Sequence, residues 1–268
     1  MPTATHDDHR IHYEVLDATP GGANPPATIV FHHGVAFSLD LWSEWLPHLS
    51  DRYRLVRFDM RGCGRSGMPD PASDWSLDAL ARDVLAVADA VDARTFHFVG
   101  ESLGGTLGLH LGIHHPDRLL SLAISNGSPR GRLVKNLAGW KDLMDNGGLR
   151  AWSAQMMEWR FFPDALSPAQ RDWALQQHLA SSGPVSLAIA DLLAATDLSA
   201  DLDRIRVPTL LLCPDASPFI PVTVMAEMKQ RIPDCELQVF AHTRHGLPLS
   251  HGRESAMVLR DFLRRRGL

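Results

Sequence analysis

A serine flanked by glycines stands in the stretch "FHFVGESLGG", residues 96–105. Ser102 follows an apolar run with the character of a β-strand and precedes a segment with helical character. A strand–Gly-x-Ser-x-Gly–helix arrangement holds its serine on a sharp, strained turn, with the hydroxyl exposed above the sheet. Gly100 and Gly104 let neighbouring backbone pass closely because they carry no side chain. We therefore expect Ser102 to act as a nucleophile on a carbonyl carbon.

A serine hydroxyl is a weak nucleophile unless a neighbouring base takes its proton. The stretch "VFAHTRHGLPLSHGRE", residues 239–254, contains three histidines. His242 belongs to the end of a predicted strand, and His251 lies toward the following helix. His245 lies in the loop between them, which should reach the same edge of the sheet as Ser102. We therefore predict that His245 is the base.

Two backbone N–H groups are expected to bind the oxyanion that forms on an attacked carbonyl. The first is that of Leu103, because it opens a helix, where N–H groups lack intrahelical partners and the helix dipole is positive. The second is that of Val35, in the loop after the apolar run "IVFHHG" at residues 29–34. Gly34 should let this loop approach the substrate closely, and it is therefore also a candidate substrate-binding residue.

Strand-like and helix-like segments alternate along both ends of the chain. These segments have to position the two side chains, Ser102 and His245, and the two backbone N–H groups. The strand-like segments are residues 10–17, 27–34, 53–60, 95–100, 119–125, 207–213 and 235–241. The helix-like segments are residues 39–49, 76–91, 103–114, 222–232 and 253–266. This alternation predicts an α/β fold, in which helices cover both faces of a mostly parallel sheet.

Residues 128–204, which we call the cap segment, break this alternation. They contain helix-like stretches without a convincing strand, and they are rich in large apolar side chains: Trp140, Trp152, Met156, Met157, Trp159, Phe161, Phe162 and Trp173. We predict a helical cap inserted between two parts of one core, residues 1–127 and 205–268. Most of the aromatic side chains should attach the cap to the core. Trp140 and Trp159 are the candidates for lining a substrate pocket.

Composition excludes several classes of function for this chain of 268 residues. Its net charge is −5 at pH 7, so a nucleic-acid partner is not expected. No apolar run reaches the ~18 residues of a membrane span, and no secretory signal begins the chain. Three cysteines without a CxxC pair predict a reduced, cytoplasmic protein. The histidines form no metal-binding motif, so we expect neither a metal nor another cofactor, and a monomer or homodimer.

Six motifs carry a resemblance to a known family: "HHG", "DMRGCGRSG", "GESLGG", "HPDRL", "VPTLLL" and "RHGLP". The chain resembles the α/β-hydrolase superfamily over nearly its whole length. It is most similar to the capped esterase and lactonase branch, with its 3-oxoadipate enol-lactonases and meta-cleavage-product hydrolases. The resemblance implies an eight-stranded, mostly parallel sheet, a helical lid after strand six, and a Ser–acid–His triad in that chain order. Epoxide hydrolases and haloalkane dehalogenases of this fold have Asp in place of Ser102.

The acid of that triad has no obvious counterpart in this sequence. Such proteins usually read G-x-x-D-P after strand seven, whereas this chain reads "CPDASPFIP", which puts Ser217 at the acid position. The nearest carboxylate is Asp215, and two extended residues span up to ~7 Å, so Asp215 reaches His245 only if the loop is rearranged. A second known location, after strand six, offers Asn126. We favour Asp215 as the acid; Ser217 or Asn126 as an uncharged partner, and an acid from elsewhere in the fold, remain open.

These residues predict a two-step acyl transfer, in which a small, largely apolar ester or lactone is cleaved through an acyl-enzyme on Ser102. Three other reactions on the same residues stay open, namely C–C bond hydrolysis, transfer of the acyl group to an acceptor other than water, and a lyase reaction. The missing acid also keeps open a weakly catalytic protein that binds a ligand. Glu101, beside the nucleophile, either faces the pocket or is a tolerated polar residue of the turn, and we favour the second interpretation.

Overall fold

A computed structural model describes residues 2–6, 9–21, 25–70 and 73–268, and one eight-stranded sheet organises them. The strands are β1 Thr3–His6, β2 His9–Leu16, β3 Thr28–His32, β4 Arg54–Phe58, β5 Phe96–Glu101, β6 Leu119–Ser125, β7 Thr209–Pro214 and β8 Cys235–Phe240. Their order in the sheet is β1-β2-β4-β3-β5-β6-β7-β8. The β1–β2 and β2–β4 pairs are antiparallel, and all pairs from β4 to β8 are parallel. The predicted fold class, an α/β-hydrolase fold with a mostly parallel sheet, is confirmed.

Within the described residues, eight α-helices connect or cover these strands. They are α1 Leu77–Ala90, α2 Leu103–His114, α3 Gly139–Arg160, α4 Pro168–Ala180, α5 Gly183–Ala195, α6 Val222–Arg231, α7 Leu247–Ser250 and α8 Gly252–Arg265. Every residue of β3 and β5 is buried, as their continuous apolar runs predict for central strands covered on both faces. The carboxyl ends of β3 and β5, where the parallel pairing stops at His32 and Gly100, lie side by side and lead into two of the predicted site loops.

Two segments differ from the sequence prediction. Residues 39–49 form two short 3₁₀ turns, Leu39–Trp42 and Leu46–His48, instead of one α-helix. The second turn has Pro47 near its start, and a proline inside a longer helix would remove a backbone hydrogen bond. β1 was not predicted from the sequence, because it is only four residues long and Ala4 is its one buried position.

The cap segment supplies α3, α4 and α5 between β6 and β7. Trp140 and Trp152 of α3 are buried, and their rings meet edge to face at 5.4 Å. The Trp140 ring also lies 6.2 Å from that of Phe219, which follows β7. These contacts attach α3 to the loop at the carboxyl end of the sheet.

No single helix among the described residues is both long enough and apolar enough to cross a membrane. α4 and α5 reach that length and composition only as a pair, and their axes are bent by 88° where they meet.

Candidate active site

Ser102 occupies the sharp turn between β5 and α2. Its backbone lies at φ 57° and ψ −111°, a conformation that residues other than glycine rarely adopt. The Ser102 N–H donates to the Ser125 carbonyl at 2.8 Å, and its carbonyl accepts from the Thr106 N–H at 3.0 Å. A Cβ on Gly100 would lie 2.1 Å from the Gly104 carbonyl oxygen, so the crossing of strand and helix requires a glycine. The turn that holds Ser102 is therefore strained and fixed from both sides.

His245 lies beside the serine, on the loop between β8 and α7. Its Nε2 is 3.0 Å from the Ser102 Oγ. The Asn126 side-chain amide donates to the His245 carbonyl at 2.9 Å, and the Phe219 ring packs edge-on against the imidazole at 4.7 Å. Burial, together with the charge of Arg160, holds the pKa of His245 well below its ordinary 6.5. At neutral pH the ring is therefore uncharged and able to accept a proton.

The other ring nitrogen, Nδ1, lies 3.1 Å from the Ser217 Oγ. That hydroxyl also accepts the Ile220 N–H at 3.2 Å, so the backbone of its own loop fixes its position. Ser217 therefore stands where the resemblance places the triad acid, and it offers the ring a hydrogen bond without a charge.

Asp215 lies away from the imidazole, contrary to our preferred interpretation. Its two carboxylate oxygens accept the backbone N–H groups of His242, at 2.9 Å, and Thr243, at 3.0 Å. Burial alone would raise the pKa of Asp215, but these two hydrogen bonds hold it below its ordinary value. The carboxylate is thus engaged in shaping the loop that carries His245. Asn126, the third candidate, contacts the backbone of His245 and not its ring.

The loop after β3 is held against Ser102 from several sides. The His33 Nδ1 donates to the Gly34 carbonyl at 2.7 Å, while its Nε2 accepts the Met60 N–H at 3.0 Å. Arg160 donates from Nη2 to the Val35 carbonyl at 3.0 Å. A Cβ on Gly34 would lie 3.0 Å from the Ser102 Cβ. This backbone therefore passes next to the serine, which is consistent with the predicted roles of Val35 and Gly34.

A small cavity opens above the serine and the histidine. Its volume is about 20 Å³, close to the space that one water molecule needs. Its lining consists of Ser102, Thr106, Val134, Leu137, Trp140, Arg160, Leu193, Phe219, Ile220 and His245. The predicted Trp140 is among them, whereas Trp159 packs its ring edge-on against Phe219 at 5.5 Å. The cap segment provides half of this lining.

Two buried charged residues beside the serine were not predicted as site residues. The Glu101 Oε1 lies 3.6 Å from the His245 Nε2 and 3.9 Å from the Arg160 Nη1. Both side chains are only 1% exposed. Burial raises the pKa of Glu101 to about 7, although the charge of Arg160 opposes this rise. The position of Glu101 directly before the nucleophile was a signal in the sequence, whereas Arg160 at the end of α3 had none.

Two other histidines form hydrogen bonds with side chains away from Ser102. The His97 Nδ1 pairs with the Ser121 Oγ at 2.8 Å, and the His110 Nε2 lies 2.9 Å from the Asp78 carboxylate. In the part of the chain that the structure describes, no three His, Cys, Asp or Glu side chains group so as to hold a metal ion.

Comparisons with known proteins identify the family to which this chain belongs. Residues 27–251 match the family model of the alpha/beta hydrolase fold. The RutD protein of Caulobacter segnis, whose name ascribes carbamate hydrolysis to it, is 28% identical over 256 residues, which cover 93% of this chain and 94% of that protein. The 3-oxoadipate enol-lactonase 1 of Acinetobacter baylyi is 30% identical over 218 residues, 79% of each chain.

Among solved structures, the enol-lactonase of Burkholderia xenovorans superimposes with a TM-score of 0.89, covering 98% of this chain and 99% of that one. At 20% identity this likeness supports the fold alone. The family match covers most of the chain, and it confirms the resemblance that the six sequence motifs indicated. The chain therefore belongs to the α/β-hydrolase family.

Proposed function

We propose that this protein is a serine hydrolase that cleaves a carboxylic ester or lactone of a small, largely apolar substrate through an acyl-enzyme on Ser102. The observation that carries this proposal is the 3.0 Å contact between the Ser102 Oγ and the His245 Nε2 at a strained strand–helix turn. A nucleophile and a base within hydrogen-bond reach of each other, the base held by a third group, form the arrangement that acyl transfer needs.

The first half-reaction forms the acyl-enzyme. The Ser102 hydroxyl gives its proton to the His245 Nε2 while Oγ bonds to the carbonyl carbon, and the electron pair of the carbonyl double bond moves to its oxygen. The N–H groups of Leu103 and Val35 bind that oxyanion. When the carbonyl re-forms, the C–O bond to the leaving group breaks, and His245 returns the proton to the leaving oxygen.

The second half-reaction releases the acid. A water molecule gives one proton to the His245 Nε2 and attacks the acyl carbon, and Ser102 leaves with the proton that His245 returns. Ser217 supports both halves, because a hydrogen bond from Nδ1–H to its Oγ leaves the lone pair of Nε2 directed at Ser102.

The cavity supports a substrate with an apolar acyl or alcohol group. Val134, Leu137 and Trp140 from the cap segment face Ile220 from the core across a space that Ser102 bounds. The named relatives include an enol-lactonase and a protein named for carbamate hydrolysis. A carbamate carbonyl is open to the same attack by serine, so carbamates belong among the compounds to be tested.

The test is hydrolysis of nitrophenyl esters of increasing chain length, several lactones and an aryl carbamate by wild type, Ser102→Ala and His245→Gln. Ser125→Ala is a matched control, because the buried Ser125 hydroxyl has no hydrogen-bond partner among the described residues. We expect Ser102→Ala and His245→Gln to lose about 10⁴-fold or more in kcat, as triad variants do. Ser125→Ala should keep wild-type activity. A wild type inert on every ester and lactone, or an active Ser102→Ala, contradicts the proposal.

A further inference from the structure

The carboxyl group of Glu101 is buried within the proposed machinery, on the side of His245 that faces Ser102. Its Oε1 lies 3.6 Å from the His245 Nε2 and 3.9 Å from the Arg160 Nη1. A Cβ on Gly34 would lie 1.9 Å from its Oε2, so the carboxyl group also packs beneath the loop after β3. This placement does not agree with our first interpretation, in which Glu101 is a tolerated polar residue of the turn.

Proton transfer to His245 creates a positive charge in a buried site. The position that a balancing carboxylate usually occupies, beside Nδ1, holds the Ser217 hydroxyl instead. Ser217 fixes the ring through a neutral hydrogen bond, and the carboxylate of Asp215 is engaged by the backbone of His242 and Thr243. Arg160, fully buried nearby, adds a second positive charge. Two like charges that are buried together without a counter-charge are strongly unfavourable.

We propose that Glu101 supplies the negative charge that stabilises the imidazolium form of His245 during acylation and deacylation. This inference rests on the proposed function. When the Ser102 proton moves to Nε2 and the carbonyl electrons move to oxygen, four buried charges coexist: the oxyanion, the imidazolium, Glu101 and Arg160. Their sum is zero only if Glu101 is ionised. Glu101 forms no bond to the substrate, and it acts through His245 as a positioning and charge-balancing residue.

The surroundings of Glu101 give this role a characteristic pH dependence. Arg160 faces it from the end of α3, His245 from the loop after β8, and the Gly34 N–H from the loop after β3. Burial, together with the charge of Arg160, lowers the pKa of His178 of α4 to about 3, so its ring stays neutral. Burial raises the pKa of Glu101 to about 7, whereas the pKa of His245 lies well below 6.5.

The active form needs an ionised Glu101 and a neutral His245. Of the two groups, Glu101 has the higher pKa, so activity should increase as pH rises through about 7. Without the Glu101 carboxyl group, the increase should move to lower pH and follow His245 alone.

The experiment measures two rates between pH 5 and 9, namely kcat/KM for a nitrophenyl ester and covalent labelling of Ser102 by a fluorophosphonate. In the labelling reaction the Ser102 oxygen bonds to phosphorus, fluoride leaves, and the serine proton passes to His245. The proteins are wild type, Glu101→Gln, Glu101→Asp and the control Asp215→Asn. Circular dichroism and thermal unfolding confirm that each variant is folded.

We expect Glu101→Gln to slow both reactions about 100-fold at pH 8, because a charge near the reacting atoms is lost. Its profile of rate against pH should also lose the rise near pH 7, which we call the ascending limb. Glu101→Asp keeps the charge, so it should keep the limb and react faster than Glu101→Gln. Asp215→Asn should keep the wild-type limb.

A purely structural role predicts the opposite order, because Gln has the size of Glu whereas Asp is shorter. Glu101→Asp slower than Glu101→Gln, or an unchanged limb in Glu101→Gln, would overturn the inference while leaving the proposed function intact. If Glu101→Gln does not fold, the inference is tested on the pH profiles of the wild type and Glu101→Asp. If either profile lacks the ascending limb near pH 7, the inference is overturned. A wild type that neither turns over esters nor is labelled overturns the proposed function and this inference together.

Discussion

At the scale of single residues, the unusual feature of the site is a hydroxyl where the family pattern places a carboxylate. Ser217 accepts the Ile220 N–H and lies 3.1 Å from the His245 Nδ1. Such a contact sets the tautomer of the imidazole without changing the charge of the site. Orientation and charge, which one Asp usually supplies together, are therefore assigned here to two residues, Ser217 and Glu101.

Ser217→Ala should lower kcat about tenfold, because it removes one hydrogen bond that orients the base. Asp215→Asn should change kcat little and instead lower the free energy of unfolding by about 1 kcal/mol, since one loop hydrogen bond to the backbone is lost. Steady-state kinetics on a nitrophenyl ester and urea unfolding measure the two effects. The reverse pattern, with Asp215→Asn inactive and Ser217→Ala active, would restore Asp215 as the acid.

The sequence was sufficient to predict that Ser102 and His245 lie together, because both follow the carboxyl ends of parallel strands in one sheet. It was not sufficient to choose the partner of Nδ1. The choice of Asp215 assumed that its carboxylate is free, whereas the backbone of His242 and Thr243 engages both oxygens. That loop conformation depends on contacts that residue types and spacing do not reveal. The contact between Glu101 and Arg160 likewise depends on how α3 packs against the core, which the sequence does not reveal.

At the scale of secondary-structure elements, long apolar strands and strongly periodic helices were readable from the sequence, and short elements were not. β5 and α2 follow the predicted pattern closely around Ser102. β1 and the two 3₁₀ turns are each three or four residues long, too short for periodicity to identify them. In the cap segment the helices were expected, but the residues that face the serine depend on long-range packing of α3 and α5.

Trp140→Ala should shift substrate preference toward longer acyl chains, because it removes an indole ring from the lining of the cavity above Ser102. We expect the ratio of kcat/KM for hexanoate over acetate nitrophenyl esters to rise about tenfold, a change of about 1.4 kcal/mol in relative transition-state binding. The variant should also lose about 3 to 5 kcal/mol of stability, since Trp140 is buried.

Trp159→Ala is the matched control for this prediction. Trp159 does not line the cavity, and its ring meets that of Phe219 edge-on at 5.5 Å, so the ratio of the two esters should stay near the wild-type value. An equal shift in both variants, or no shift in Trp140→Ala, would contradict the assignment of Trp140 to the substrate pocket.

At the scale of the whole molecule, several buried histidines make stability depend on pH. Burial lowers the pKa of His32 to about 3, of His97 to about 4 and of His178 to about 3. In the unfolded chain each histidine regains its ordinary pKa of about 6.5. Below pH 6.5 the unfolded state therefore binds more protons than the folded state, and stability falls as pH falls. Glu101, whose pKa is raised to about 7, has the opposite effect and offsets one histidine.

The free energy of unfolding should be at least about 3 kcal/mol lower at pH 5.5 than at pH 7.5. Four buried histidines, His32, His97, His178 and His245, each contribute about 1.4 kcal/mol over the one pH unit below 6.5, and Glu101 offsets about one of them. Urea unfolding at the two pH values measures this difference. His97→Gln should reduce the difference by the share of one histidine, because Gln does not titrate. Equal stability at both pH values would show that these histidines are protonated alike in the folded and unfolded states.

The central claim is that Ser102 carries the acyl group during turnover. Its most direct test is to quench the wild-type enzyme with acid during hydrolysis of a nitrophenyl butyrate and to map the adduct by mass spectrometry. We predict a butyryl group on the peptide that contains Ser102, formed within the first turnover and missing in Ser102→Ala. Turnover without any acyl-enzyme, or an adduct on another residue whose removal abolishes activity, would contradict the account.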